Sequence, residues 1–143
     1  MIELRHLTVG YAAKAVLTDS LTDVHGAIIG DGLAKRIENT GFKASGTNLE
    51  DFESYLKYRF ELDRRANNKA GMDTHDFSNE QLNDMITALE QKVPNIRAAA
   101  DAFQQFRRDF LQANLVNPGW VMQAEFDQME QLYPNYVPSH KIL

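Results

Sequence analysis

The sequence contains no cysteine among its 143 residues. Disulfides, thiolate zinc sites and cysteine nucleophiles are therefore excluded together, and the composition fits a reducing cytosol. No apolar run approaches the ~18 residues that a membrane-spanning helix needs. The first residues, Met1–His6, lack the charged region and apolar core of a signal peptide. We therefore expect no membrane partner.

An excess of positive charge is also lacking, since 15 Lys and Arg residues face 20 Asp and Glu residues and the net charge is −5. A duplex-binding surface needs several cations that face phosphates. The only tight basic pairs are Arg64-Arg65 and Arg107-Arg108, and each has acidic neighbours. We expect both pairs to lie on solvated, salt-bridged helix faces. Weak nucleic-acid binding through these arginines is the alternative.

Motifs for catalysis or metal binding are missing as well. None of the four histidines lies three or four residues from another, so no helix face offers two imidazoles to a metal. There is no Gly-x-Ser-x-Gly elbow and no phosphate-binding Gly-Lys-Ser/Thr. We expect no catalytic residue, metal or cofactor. The alternative is an enzyme or enzyme-accessory domain with a site near residues 22–32 and 67–77, where His25, His75 and Asp76 lie.

Apolar residues recur at helical spacing along most of the chain, which predicts an all-α fold, an irregular bundle of five to six helices. Asn48 or Thr47 is the expected cap of one helix, and Ser78 with Gln81 forms a capping box for the next. Pro94 closes that helix. The predicted helices cover residues 3–21, 32–39, 48–66, 79–92, 95–116 and 121–132.

Two segments differ from this pattern. Residues 22–32 combine three glycines with the β-prone run Ala27-Ile28-Ile29, which predicts a short extended segment or hairpin near 25–30. Residues 67–77 are a loop by composition.

The helix predicted at 95–116 carries the clearest apolar stripe, with alternating spacings of three and four. Three of its members are phenylalanines, each worth ~1.5–3 kcal/mol if fully buried. We therefore expect this helix to form the centre of the structure. The stripe consists of Ile96, Ala99, Phe103, Phe106, Phe110 and Ala113.

The C-terminal stretch is rich in aromatic residues and is the remaining candidate for function. Trp120, Tyr133 and Tyr136 are amphipathic rings of the kind enriched at protein contacts. The alternative, which we prefer, is that Trp120 plugs the end of the bundle while the tyrosines pin the tail back. The apolar tail, residues 133–143, is expected to be extended and to pack on something.

Two sets of residues together resemble a helical segment of very large phage and prophage polyvalent or minor structural proteins. The first is Leu21-Thr-Asp23-x-x-Gly26-x-x-x-Gly30-x-Gly-Leu33, followed by Leu49-Glu-Asp51-Phe52-x-x-Tyr55-Leu56. The second is Phe106-x-x-Asp109-Phe-Leu111, the 120–126 segment and Tyr133-Pro-Asn-Tyr136-Val-Pro138. The resemblance implies a phage or mobile-element origin and a domain cut from a longer polypeptide.

Together these observations predict one helical domain over residues 1–143, which packs on or binds protein and has no catalytic activity. The expected partner is a second copy or a neighbouring domain of a larger chain. The expected location is the host cytoplasm or the virion.

Overall fold

The structure is a computed structural model that describes residues 20–71 and 76–138. This part of the chain is mostly helical, with one short antiparallel sheet. None of the helices within it is long and apolar enough to cross a membrane. Its elements are β1 (Ser20–Thr22), β2 (Ile28–Asp31), α1 (Leu33–Asn39), α2 (Thr47–Ala66), α3 (Asn79–Lys92), α4 (Ile96–Leu111), a π-helical turn (Gln112–Val116) and α5 (Gln123–Leu132).

The two strands form the hairpin predicted near 25–30, with Leu21 paired to Gly30. Asp23 shapes the turn, because its Oδ1 accepts hydrogen bonds from the backbone N–H of His25 (2.9 Å) and of Ala27 (3.0 Å). Gly26 takes a positive φ of 81°, which suits glycine. The prediction of a helix over 3–21 is wrong at its C-terminal end, because buried Leu21 belongs to β1. Its other residues, 3–19, lie outside the described residues.

Helices α1 and α2 follow the predicted pattern closely. Leu33 and Ile37 of α1 are buried, and so are Leu49 and Phe52 of α2. The cap predicted for α2 is wrong, because Gly46 precedes the helix and no side chain caps it. The amide Nδ2 of Asn48 instead donates to the carbonyl of Lys43 at 3.1 Å.

The capping box predicted at the start of α3 is confirmed. The Ser78 hydroxyl accepts from the Gln81 N–H at 3.1 Å, and the Gln81 side-chain oxygen accepts from the Ser78 N–H at 2.8 Å. The helix ends at Lys92, two residues before Pro94.

Helix α4 is the centre of the core, as its stripe predicts, since every member from Ile96 to Ala113 is buried. Phe103 meets Phe52 of α2 edge-to-face at 6.4 Å. The predicted α-helix does not continue to 116, however. From Gln112 the chain widens into the π turn, where the Asn117 N–H donates to the Gln112 carbonyl at 2.9 Å.

Candidate functional site

A groove of about 360 Å³ lies between the end of α4, the π turn, α5 and the tail that follows α5. Its volume falls at the lower end of the range found for ligand sites, roughly 300–1,000 Å³. We call it the α5 groove. It is lined by Leu111, Leu115, Val116, Val121, Phe126, Met129, Pro138, Tyr133, Tyr136, Arg107, Glu125 and Glu130.

The π turn shapes one wall of the groove. Its wider winding brings Leu115 and Val116 to the lining. The Leu115 carbonyl accepts hydrogen bonds from the N–H of Trp120 (2.9 Å) and of Val121 (3.1 Å). These two bonds fold the chain back, so that Val121 joins the same wall just before α5 begins.

The charged part of the lining is an ion pair between Arg107 of α4 and Glu130 of α5. The Arg107 side chain is 1% exposed and that of Glu130 is 16% exposed. Nη2 of Arg107 donates to Oε1 of Glu130 at 2.6 Å, and Nη1 donates to Oε2. The Arg107 Nε–H donates to Oε1 of Gln104 at 2.7 Å. This bidentate pair joins α5 to α4.

All four arginines of the two basic pairs bond to groups of this chain. Arg65 pairs with Glu61 at 2.9 Å, while the Arg64 Nε–H donates to the Lys69 carbonyl at 3.0 Å. Arg108 Nη2 donates to Oε1 of Gln105 at 3.2 Å, and its Nη1 lies 3.8 Å from Glu130 Oε1. The expected solvated face is wrong for Arg107, because its partner lies 23 residues away and covers it.

The tail from Tyr133 to Pro138 packs on α2. The rings of Tyr133 and Tyr136 lie edge-on to Phe60, with centroids 6.2 and 5.2 Å away. The Asn135 N–H donates to Oδ2 of Asp63 at 2.8 Å. Burial raises the pKa of Asp63, and its hydrogen bonds from Asn135 oppose that rise. The interpretation that the tyrosines pin the tail back is confirmed for residues 133–138; residues 139–143 lie outside the described residues.

Trp120 does not plug the end of the helices, and that interpretation is wrong. Its side chain is 79% exposed, and Met122 close by in sequence is 67% exposed. Of the nine large apolar residues exposed in the described part of the chain, five fall between 115 and 132. We call these five the Trp120 surface: Leu115, Trp120, Met122, Met129 and Leu132.

The described residues of the alternative site near 22–32 and 67–77 do not line the groove. His25 and Asp76 are exposed, and neither lines the groove, while His75 lies outside the described residues. Over residues 20–71 and 76–138, no group of three or more His, Asp or Glu side chains is placed to hold a metal ion.

Sequence reasoning also missed a buried carboxylate that holds the 67–71 segment. Glu61 is 2% exposed, and its two oxygens accept from the Gly71 N–H at 2.8 and 3.1 Å. Its Oε2 also accepts from the Arg65 Nε–H. The i,i+4 spacing of Glu61 and Arg65 is typical of an ion pair on a helix, but this spacing does not indicate that the carboxylate is buried.

No family model, curated protein or solved structure matches the chain.

Proposed function

We propose that this chain is a non-enzymatic helical module that binds protein through the Trp120 surface and the adjoining α5 groove. The observation that carries the proposal is an exposed tryptophan beside an apolar groove. Contiguous exposed apolar residues mark interaction sites on soluble proteins. Tryptophan is among the residues most enriched where alanine substitution weakens protein complexes.

The attachment of α5 supports this proposal. No residue of α5 is buried, so the helix presents apolar side chains such as Met129 to a partner. The Arg107–Glu130 pair holds the helix in place from the groove side. A partner can therefore dock on a preformed surface, which lowers the entropy lost on binding.

In this proposal residues 1–143 are one domain, an irregular bundle. The partner is a protein, either a neighbouring domain of a longer chain or a second copy. The phage or mobile-element origin belongs to the same proposal and rests on the resemblance of the sequence. Phage structural genes on either side of the coding region would support it, and a chromosomal neighbourhood without mobile genes would contradict it.

Site-specific photo-cross-linking tests the binding surface. A photoreactive amino acid replaces Met122, an exposed residue of the Trp120 surface, in one sample and Glu38, an exposed residue of α1, in the control. In an extract of the cell that expresses the gene, we expect a discrete protein adduct from position 122 and none from position 38. Excess purified wild-type chain should suppress the adduct, and excess Trp120→Ala chain should not. The same adducts from both positions, or none from position 122, would contradict the proposal.

The Trp120→Ala chain is a usable competitor only if it folds. Because the Trp120 side chain is mostly exposed, we expect the substitution to change the protein's free energy of unfolding by no more than about 0.5 kcal/mol. Urea denaturation of both chains checks this.

A further inference from the structure

We infer that the α5 groove receives a basic partner segment, one that places an aliphatic or aromatic side chain in the groove and a lysine or arginine beside Glu125. This inference rests on the proposed function and adds the chemistry of the partner.

The charged side chains of α5 are all negative. Between Gln123 and Leu132 the helix carries three carboxylates and no lysine or arginine. Glu130 is paired with Arg107, and Oδ1 of Asp127 accepts from the Gln123 side-chain amide at 2.9 Å. Glu125 lines the groove, and within residues 20–71 and 76–138 no hydrogen bond or ion pair engages its carboxylate. An incoming cation therefore finds an acceptor at the groove without breaking a contact to any other described residue.

Among the described residues that line the groove, Arg107 is the only cation, and it is already paired. Both terminal nitrogens of Arg107 bond to Glu130, so an acidic partner would have to separate a buried pair to reach a positive charge. Breaking such a pair is strongly unfavourable. The groove therefore favours a basic partner over an acidic one.

The same charges disfavour a second copy of this chain as the occupant. Two copies meeting at this surface would bring Glu125 and Asp127 of one near those of the other, on molecules that each carry a net charge of −5. Like charges set against each other across an interface suppress association.

The volume of the groove indicates how much of the partner enters. An α-helix with its side chains is about 10–12 Å wide. A groove of about 360 Å³ therefore takes side chains that project from the partner, not a whole helix. Leu115, Phe126 and Met129 supply apolar contacts for such a side chain. Leu115 and Met129 also belong to the Trp120 surface, so the groove and that surface share residues.

The test is selection of random linear peptides on the full chain, in parallel with Glu125→Lys and with Glu38→Lys, a control with the same change of charge at an exposed position of α1. On the wild type and on Glu38→Lys we expect peptides that place Lys or Arg close to an aliphatic or aromatic residue. Those peptides should bind Glu125→Lys at least about tenfold more weakly and Glu125→Gln by an intermediate factor. Their affinity should decrease as the salt concentration rises from about 0.1 M to 1 M, because the Debye screening length shortens from about 10 to 3 Å.

Trp120 reports where the peptides bind, because it is the only tryptophan in the chain. Selected peptides without tryptophan should shift its fluorescence emission to shorter wavelength.

The outcomes separate this inference from the proposed function. Peptides that lose binding to Trp120→Ala but bind Glu125→Lys as well as the wild type would overturn the charge inference and leave the proposed function standing. Wild-type dimers that the Trp120→Ala substitution abolishes would also overturn the charge inference and leave the proposed function standing. Peptides that bind all variants equally, no selected peptides at all, or a groove that takes only small apolar molecules would overturn both.

Discussion

Two regions of the molecule are attached in different ways. Around α4 the contacts are apolar and closed to solvent, as where Phe103 meets Phe52. The second region follows Leu111. In it, α5 has no buried residue and is joined to α4 by the Arg107–Glu130 pair, and the tail packs on Phe60 of α2. In the first region apolar residues stabilise the fold; in the second many remain exposed, where a partner can use them.

The largest expected effect on the free energy of unfolding comes from a comparison in which one phenylalanine of each region is replaced by alanine. Phe103→Ala removes a ring that is 1% exposed, and we expect a loss of about 4 kcal/mol in the free energy of unfolding. Phe126→Ala, in half-buried surroundings on α5, should lose about 1 kcal/mol. Urea denaturation measures both, and equal losses would contradict the distinction between the two regions.

Removing the carboxylate of Glu130 should release α5 without unfolding the rest. Glu130→Ala leaves the Arg107 guanidinium buried without its carboxylate, which we expect to cost about 3 kcal/mol. Amide hydrogen exchange should speed up over residues 123–132 and stay slow in α4. The control is Glu125→Ala on the same helix, expected to stay within about 0.5 kcal/mol of the wild type. Uniformly faster exchange in α4 would show that the two regions unfold together.

A smaller effect is expected where α2 meets α3. The buried Tyr55 hydroxyl donates to Oε2 of Glu90 at 2.6 Å, and burial, together with this bond, raises the pKa of Tyr55. Tyr55→Phe should lose about 1 kcal/mol, because Glu90 is exposed and can bond to water instead. A double-mutant cycle with Glu90→Ala measures the coupling, and additive losses would show that the bond contributes nothing.

The smallest effect concerns pH at the contact between α2 and the tail. Burial raises the pKa of Asp63 above its usual 3.8, so the folded chain keeps this proton at pH values where the unfolded chain has lost it. Ionisation of Asp63 therefore lowers stability as pH rises from about 3.8 through the raised pKa. After screening by solvent we expect less than about 1 kcal/mol. Asp63→Asn keeps an acceptor for Asn135 and should lack this decline; parallel pH profiles of stability would contradict it.

Apolar spacing and local motifs predicted most of the first region. The stripe from Ile96 to Ala113 is buried as expected, and the Ser78 capping box forms because both partners lie within one helical turn. Predictions failed where a neighbour in sequence was not the partner in space. Asn48 bonds back to Lys43 and does not cap α2, and Leu21 pairs in a strand, although its spacing fits a helix.

The candidate site was only partly predictable. Trp120, Tyr133 and Tyr136 were singled out by residue type, which does not distinguish a ring packed on Phe60 from one left in solvent. The contact between Arg107 and Glu130 spans 23 residues and has no periodic signal. Without that contact, nothing in the sequence indicates that α5 lies beside α4 and encloses a groove.

The π turn gives this region an unusual dependence on chain length. Compared with an α-helix, a wider turn accommodates an extra residue within 112–116. Deleting a single residue there would let α4 continue as a regular α-helix, and the residues after the turn would keep nearly their present orientation, because the wide turn already absorbs the extra residue. A deletion in the regular part of α4 would instead rotate every following side chain by about 100° around the helix axis. The 112–116 turn is therefore the place in this part of the chain where a change of one residue in length disturbs the following groove residues least.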